Sequence, residues 1–355
     1  MLKPEETVYR FLISTPSRLV GEYISEDLTI NHAWRSELSL DYYNENAFSR
    51  SYYMVSFKLE NEQEDQVSEV SIDPLLAQLS ILFGKRFDNH GPVQHNGYFR
   101  VPDLGEQKPI KHYKIGFINH QARANLSVPL SLDHFRIMDP LLAGSKNIIQ
   151  LFNAAGKFYL RALQTYETTP ENAYLDLITC GEMLSNYYSF EDKQMYDDRL
   201  LAIFEEIEGE MVNGKAIVKD FKNRLYQIKR RFTFTILKLL TDDFFEASEA
   251  QGTQFSIIQD TIQKRIQAAY DLRSKYVHTG IQFGRDISIE FSEVSMERFL
   301  LPEDKLDKDL LKILNQAPTF KGLERIIRFC LLQFLQTNGV IDLEKTSQSN
   351  ETPTE

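Results

Sequence analysis

Tyr53, Val55, Phe57 and Leu59 alternate along the chain with Met54, Ser56, Lys58 and Glu60. A period of two predicts a half-buried β-strand. The strand runs into ENEQEDQ, whose acidic and polar composition reads as a solvated turn. The segments VYRFLI, YFRV, HYKIGFI and NLSVPLSL predict further strands. One helix interrupts them, over DPLLAQLSILFG. Asp73 is its candidate N-cap, Pro74 sits in its first turn and Gly84 stops it.

From about Gly144 the period changes to that of a helix. SKNIIQLFNAAGKFYLRALQTY is one amphipathic helix. ENAYLDLITCGEMLSNYY is a second, with Tyr174, Leu177, Ile178, Gly181, Leu184, Ser185 and Tyr188 on one face. KAIVKDFKNRLYQIKRRFTFTILKLL reads as a long third helix and FSIIQDTIQKRIQAAYDLRSKYVH as a fourth. After a loop with strand-like DISIEF, TFKGLERIIRFCLLQFLQT is the last, closed by Asn338 and Gly339. Helices with short connections predict a bundle. The expected fold class is therefore α+β: a β-rich N-terminal domain over 1–138, a helical bundle over 139–340 and a disordered tail over 341–355. The turn residues of MDPLLAGS place the boundary within 136–144.

Composition narrows the class. The chain has 355 residues and is 42% hydrophobic, enough to bury a sizeable core. The N-terminal MLKPEETVYRFL lacks the apolar run of a signal peptide, and no stretch has the apolar length of a membrane span. Cys180 and Cys330 fall far apart on apolar helical patterns and read as reduced core thiols, so a cytoplasmic protein is expected. The net charge of −11 argues against coating nucleic acid by bulk attraction. The charge is uneven, however. Lys215 to Lys238 holds eight Lys or Arg against the single acid Asp220, whereas Glu191 to Glu210 holds eight acids against one Lys and one Arg. An acidic chain can still carry a local anion-binding face.

The fourth helix carries the candidate chemistry. Ile258, Ile262, Ile266, Ala269, Leu272 and Tyr276 form one apolar stripe. Arg273 lies about 40° from the stripe's centre at 100° per residue, on the flank of the core. A guanidinium there needs a partner, and it suits a carboxylate or a phosphate. His278 follows five residues later, about 140° away on a regular helix. Thr279 and Gly280 are stop signals, so the last turn is free to deviate. The helix C-terminus favours a protonated imidazole and the nearby arginine opposes it, an arrangement that suits titration near neutrality.

AYDLRSKYVHTG, following AYLDLITCGEMLS on an earlier helix, resembles the HEPN superfamily, and more closely its Apea-like branch. The signature of that superfamily is an Arg, a polar residue, three to five more residues and a His at the end of a late helix. Here it reads Arg273, Ser274, Lys275, Tyr276, Val277, His278, with Tyr270, Leu272 and Gly280 in keeping with the branch, and the resemblance covers roughly 145–338. It implies a metal-independent endoribonuclease without cofactors, acting as a toxin or in antiviral abortive infection. RNA supplies its own nucleophile, the 2′-hydroxyl. His278 would move the proton and Arg273 would hold the phosphate charge, leaving a 2′,3′-cyclic phosphate and a 5′-hydroxyl. Ser274 and Lys275 would support the phosphate, and Glu182, matching the acidic residue of the second-helix pattern, would orient Arg273. Lys222, Arg224, Lys229, Arg230 and Arg231 would follow an RNA backbone. A homodimer through the helical domain is expected, because paired motifs in one cleft supply both a base and an acid. The N-terminal domain would then bind a trigger or regulator.

Plainer readings stand beside these. Arg273 can be a salt-bridge partner of Glu182 or Asp176, His278 a cap on the last carbonyls, the basic run a solvated face, and Glu182 a surface carboxylate. On these readings the bundle is a non-catalytic module that binds RNA, a nucleotide or a protein. His90 and His95 have no third ligand at a sensible spacing and read as loop residues. Ser145 and Lys146 lack the glycine spacing of a phosphate-binding loop.

Overall fold

The computed structural model describes residues 6–15, 19–33, 51–60, 72–95, 98–99, 130–142, 147–225, 227–246, 248, 250–288, 296–298 and 308–343. Six antiparallel strands form one sheet: β1 (Glu6–Thr15), β2 (Tyr23–Ile24), β3 (Leu28–His32), β4 (Ser51–Glu60), β5 (Asp88–His95) and β6 (Tyr98–Phe99), in the order β2-β3-β4-β1-β5-β6. Helix α1 (Asp73–Phe83) lies between β4 and β5 in sequence. A 3-10 turn (Leu132–Met138) and α2 (Asp139–Leu142) lead into α3 (Asn147–Thr165), α4 (Pro170–Ser185), α5 (Asp192–Met195), α6 (Asp198–Glu210), α7 (Gly214–Arg224), α8 (Ile228–Leu239), α9 (Asp242–Glu246), α10 (Gln259–Thr279), α11 (Gly284–Ile287), α12 (Lys308–Gln316) and α13 (Phe320–Thr337). The architecture is mixed α and β, a small antiparallel sheet followed by helices, and no helix among the described residues is long and apolar enough to cross a membrane.

The sheet follows from its alternation. Tyr9, Phe11 and Ile13 on β1 stand opposite Phe57, Val55 and Tyr53 on β4. Opposed residues share a face, and here that face is the inner one. Tyr9 and Phe11 stack on Phe57, and the Tyr53 hydroxyl accepts the Leu19 N–H at 2.7 Å. The segment holding His90 and His95 is not a loop. It pairs with β1 as β5 across two register shifts around Phe11, with Gly91 at φ +96°. His90 Nε2 lies 2.7 Å from Ser14 Oγ, a cross-strand hydrogen bond. No group of three metal-ligating side chains occurs among the described residues. Of the remaining predicted strands, HYKIGFI lies outside the described residues. NLSVPLSL ends instead in the 3-10 turn that begins at Leu132.

Helix α4 is the hub of the helical half. Tyr174, Leu177, Ile178, Gly181, Leu184, Ser185 and Tyr188 are all buried, as their spacing predicts, and α3, α8, α10 and α13 pack around this helix. At Gly181 a Cβ would fall on the ring of Phe232 from α8, so only hydrogen permits this approach. The long third helix is in fact two. Arg224 ends α7, and Gln227, in the left-handed region at φ 47°, turns the chain before α8. The acidic stretch forms α5 and α6, and α6 packs with α7 over a second small core of Met195, Tyr196, Phe204 and Val218. At α1 the N-cap is Ile72 rather than Asp73, which is the first helical residue, while Gly84 is the left-handed C-cap. DISIEF begins as α11, and its later residues lie outside the described ones.

One hydrophobic cluster runs from Tyr9 to Ile341 and includes sheet and helices alike. The expected boundary at 136–144 falls on the 3-10 turn and α2, whose Phe135, Met138 and Leu141 belong to that cluster. Arg328 of α13 donates from Nε and Nη2 to the carbonyls of Ile81 and Leu82, both at 2.7 Å, closing the end of α1. Cys180 and Cys330 are free and buried, and burial pushes both thiols up.

Candidate functional site

Helix α10 positions the predicted pair. Ile262, Ile266, Ala269 and Leu272 are buried, as the stripe requires. Its start is shifted, because Ile258 is the exposed N-cap and Ile257 is buried in its place. The helix stays helical through His278. Gly280 caps it at φ 68°, donating its N–H to the Tyr276 carbonyl at 2.8 Å. The last turn therefore does not bring the imidazole round. Within one copy Arg273 and His278 remain about 140° apart in azimuth and about 7.5 Å apart along the axis.

Arg273 is half-buried. Its Nη2 lies 3.8 Å from Glu182 Oε1 on α4, an ion pair longer than a hydrogen bond. The direct partner of that oxygen is the Tyr270 hydroxyl, which donates to it at 2.9 Å. The same tyrosine ring lies under the guanidinium, with 5.5 Å from Arg273 Cζ to the ring centroid. Burial and then the Glu182 carboxylate push the Tyr270 hydroxyl up to about 12, so it stays a donor at neutral pH. Of the two partners expected for Arg273, Asp176 is engaged elsewhere. Arg161 holds it through two hydrogen bonds, at 2.7 and 2.5 Å.

His278 is exposed beside exposed Val277, and it makes no hydrogen bond among the described residues. It does not cap the final carbonyls. The Thr279 hydroxyl, 2.5 Å from the Lys275 carbonyl, and the Gly280 N–H fill that role. Ser274 and Lys275 are half-buried on the turn between Arg273 and His278.

The basic run is largely engaged within the chain. Lys222 pairs with Asp192 at 2.7 Å, and Lys229 with Asp271 at 2.5 Å. Arg230 donates to the Met195 carbonyl at 2.8 Å, and Arg231 to the carbonyls of Tyr188 at 2.8 Å and Ser185 at 3.3 Å. The position of Arg224 ends α7, and its side chain lies outside the described residues. Four of the five cations expected along an RNA backbone thus close the ends of α4 and α5 or pair with acids. Tyr270 is the site residue whose role the sequence reading passed over. Its signal was its place three residues before Arg273, a spacing that sets a ring beneath a guanidinium on one helix face.

No protein-family model, no curated protein and no solved structure matches this chain.

Proposed function

We propose that the helical half is a HEPN-type domain that cleaves RNA without a metal, with Arg273 and His278 as its catalytic residues, in a toxin or an antiviral abortive-infection effector. The carrying observation is the loose pairing of Arg273. A guanidinium 3.8 Å from Glu182 is oriented by that carboxylate and by the Tyr270 ring, yet keeps N–H donors for a phosphate. His278 reaches solvent at the end of the same helix. The azimuth between them requires two copies. Arg273 of one copy meets His278 of the other, and the cleft formed holds two imidazoles. One takes the 2′-hydroxyl proton as that oxygen attacks phosphorus. The other protonates the 5′-oxygen as its bond to phosphorus breaks. Arg273 offsets the charge that grows on the phosphoryl oxygens.

The test is RNA cleavage by the wild type, R273A, H278A and an equimolar mixture refolded together. Each single variant should lose about 10²-fold or more. The mixture should stay as inactive as the single variants, because each mixed dimer brings only one imidazole to its cleft. Equal cleavage by all chains overturns the nuclease, and a mixture that regains about a quarter of wild-type activity, the share expected if one His278 sufficed per site, overturns the two-imidazole cleft. A second reading, a non-catalytic module that binds a partner, is favoured by the pairing of Lys222, Lys229, Arg230 and Arg231 within the chain. It predicts no cleavage by the wild type.

A further inference from the structure

At Glu182 the weaker donor stands closer than the stronger one. Its Oε1 accepts from the neutral Tyr270 hydroxyl at 2.9 Å, while the cationic Nη2 of Arg273 stays at 3.8 Å. A guanidinium free to choose closes on a carboxylate to about 2.7–2.9 Å. Arg161 does so on Asp176, through two hydrogen bonds at 2.7 and 2.5 Å. The guanidinium of Arg273 makes no hydrogen bond among the described residues.

Tyr270 accounts for the gap. It precedes Arg273 by three residues, so both side chains meet α4 from one side of α10. Its hydroxyl fixes Oε1, and its ring face carries the guanidinium, with 5.5 Å from Cζ to the ring centroid. The two ends of one side chain thus set both sides of the gap. The ring is itself held. Tyr270 is 9% exposed, and its ring centroid lies 5.6 Å from that of Phe232, the ring that fills the close approach at Gly181, next to Glu182. A carboxylate offers about four acceptor positions, so one hydroxyl does not exhaust Glu182. What the hydroxyl removes is the freedom of the carboxylate to swing toward the arginine.

We propose that Tyr270 is a positioning residue whose hydroxyl holds the Glu182 carboxylate off Arg273, so that the guanidinium is oriented but not consumed and its N–H donors stay open to a phosphate oxygen. The proposal deepens the nuclease reading and rests on it for the identity of that phosphate as one of RNA. A closed Arg273–Glu182 pair has to break before a phosphate enters, whereas the held gap receives it without rearrangement. Without the hydroxyl the carboxylate itself becomes the competitor of the substrate.

Urea unfolding of the full chain, E182Q, R273A and their double variant measures the coupling of the pair. The same four chains carrying Y270F, which keeps the ring, measure it without the hydroxyl. The coupling should rise at least about fivefold in the unfolding equilibrium constant, as the freed carboxylate closes on the guanidinium. A merely structural hydroxyl gives an unchanged or smaller coupling, and either result overturns the proposal. The wild type alone supplies a second measurement, NMR of the chain carrying isotope-labelled arginine. The Nη signals of Arg273 should be averaged by rotation about Cζ–Nη, unlike those of Arg161, and fixed signals for Arg273 overturn the proposal. RNA cleavage should fall about tenfold in Y270F and return to within about threefold of the wild type when E182Q is added. Where the wild type cleaves, failure of E182Q to restore Y270F overturns the proposal. A wild type that cleaves nothing overturns the nuclease reading instead, and the coupling still decides the role of Tyr270.

Discussion

Replacing Glu182 by Gln and Arg273 by Ala, singly and together, measures how far the carboxylate steers the guanidinium. At the observed 3.8 Å the Coulomb attraction is about 1 kcal/mol at the dielectric of water and about 4 kcal/mol at that of a protein surface. Arg273 keeps 30% of its side chain exposed and Glu182 20%, so the real value sits nearer the lower figure. Desolvation and lost rotamer freedom reduce it further, and a coupling of about 1 kcal/mol is expected. Urea unfolding of the four chains at low salt gives it directly. In 1 M salt, where the screening length is about 3 Å, most of it should vanish. Glu182→Gln can still accept from Tyr270, so its single effect should be smaller than that of Arg273→Ala, which also bares the ring. A coupling below about 0.3 kcal/mol at low salt would show that the carboxylate does not hold the arginine, and the orientation argument would fail with it.

Three further outcomes are expected. Burial raises the Glu324 carboxyl above its usual range, with Arg328 opposing and the Tyr159 hydroxyl donating to it. A carboxyl raised in the folded chain gives stability that is full below its unfolded value and is lost as pH rises through its folded value. Glu324→Gln should therefore flatten the stability profile above about pH 5, and parallel profiles for the two chains would refute this. Gly181→Ala gains about 1 kcal/mol of helix propensity but drives a methyl into the Phe232 ring, so a net loss of about 1–2 kcal/mol is expected in urea melts; a stabilised variant would contradict the close approach. Arg231→Ala removes two carbonyl contacts at the end of α4 and should cost about 1–2 kcal/mol of stability. RNA affinity that falls while stability holds would instead return this arginine to the backbone-tracking role.

The elements legible in the sequence are those whose burial is decided by their own spacing. The inner face of α4 and the stripe of α10 repeat every three or four residues, and β1 from Val8 to Ile13 and β4 from Tyr53 to Ser56 bury every second residue, so each announces its face. β5 carries no such pattern. Gly91 and Pro92 interrupt it, and its pairing with β1 and β6 makes it a strand. The break between α7 and α8 falls at Gln227, a residue type with no turn preference, and left-handed backbone there is imposed by context. In α6 the buried Phe204 and the half-buried Leu200, Leu201 and Ile207 do follow helical spacing, but the eight surrounding acids between Glu191 and Glu210 hid it. Those acids and the basic run after them were read as separate surfaces. Lys222 against Asp192 shows that they are partly one, folded on itself.

The arginines sort themselves by how completely the fold satisfies them, and sequence cannot supply that ranking because each partner lies on another element. Arg161 is held bidentate by Asp176 at 2.7 and 2.5 Å, and Arg325 spans Glu297 and the Phe244 carbonyl while stacking on the Phe244 ring. Side chains so engaged have few donors left, and their work is to join helices. Arg273 is oriented by one long ion pair and a ring. Free donors on a partly desolvated guanidinium are what an anion requires, since fixed charge there is strong and needs no rearrangement to receive it. A fold that satisfies Arg161 and Arg325 fully is able to satisfy arginines. Arg273, by contrast, keeps donors that the described residues do not fill, which is the property the proposed phosphate role draws on.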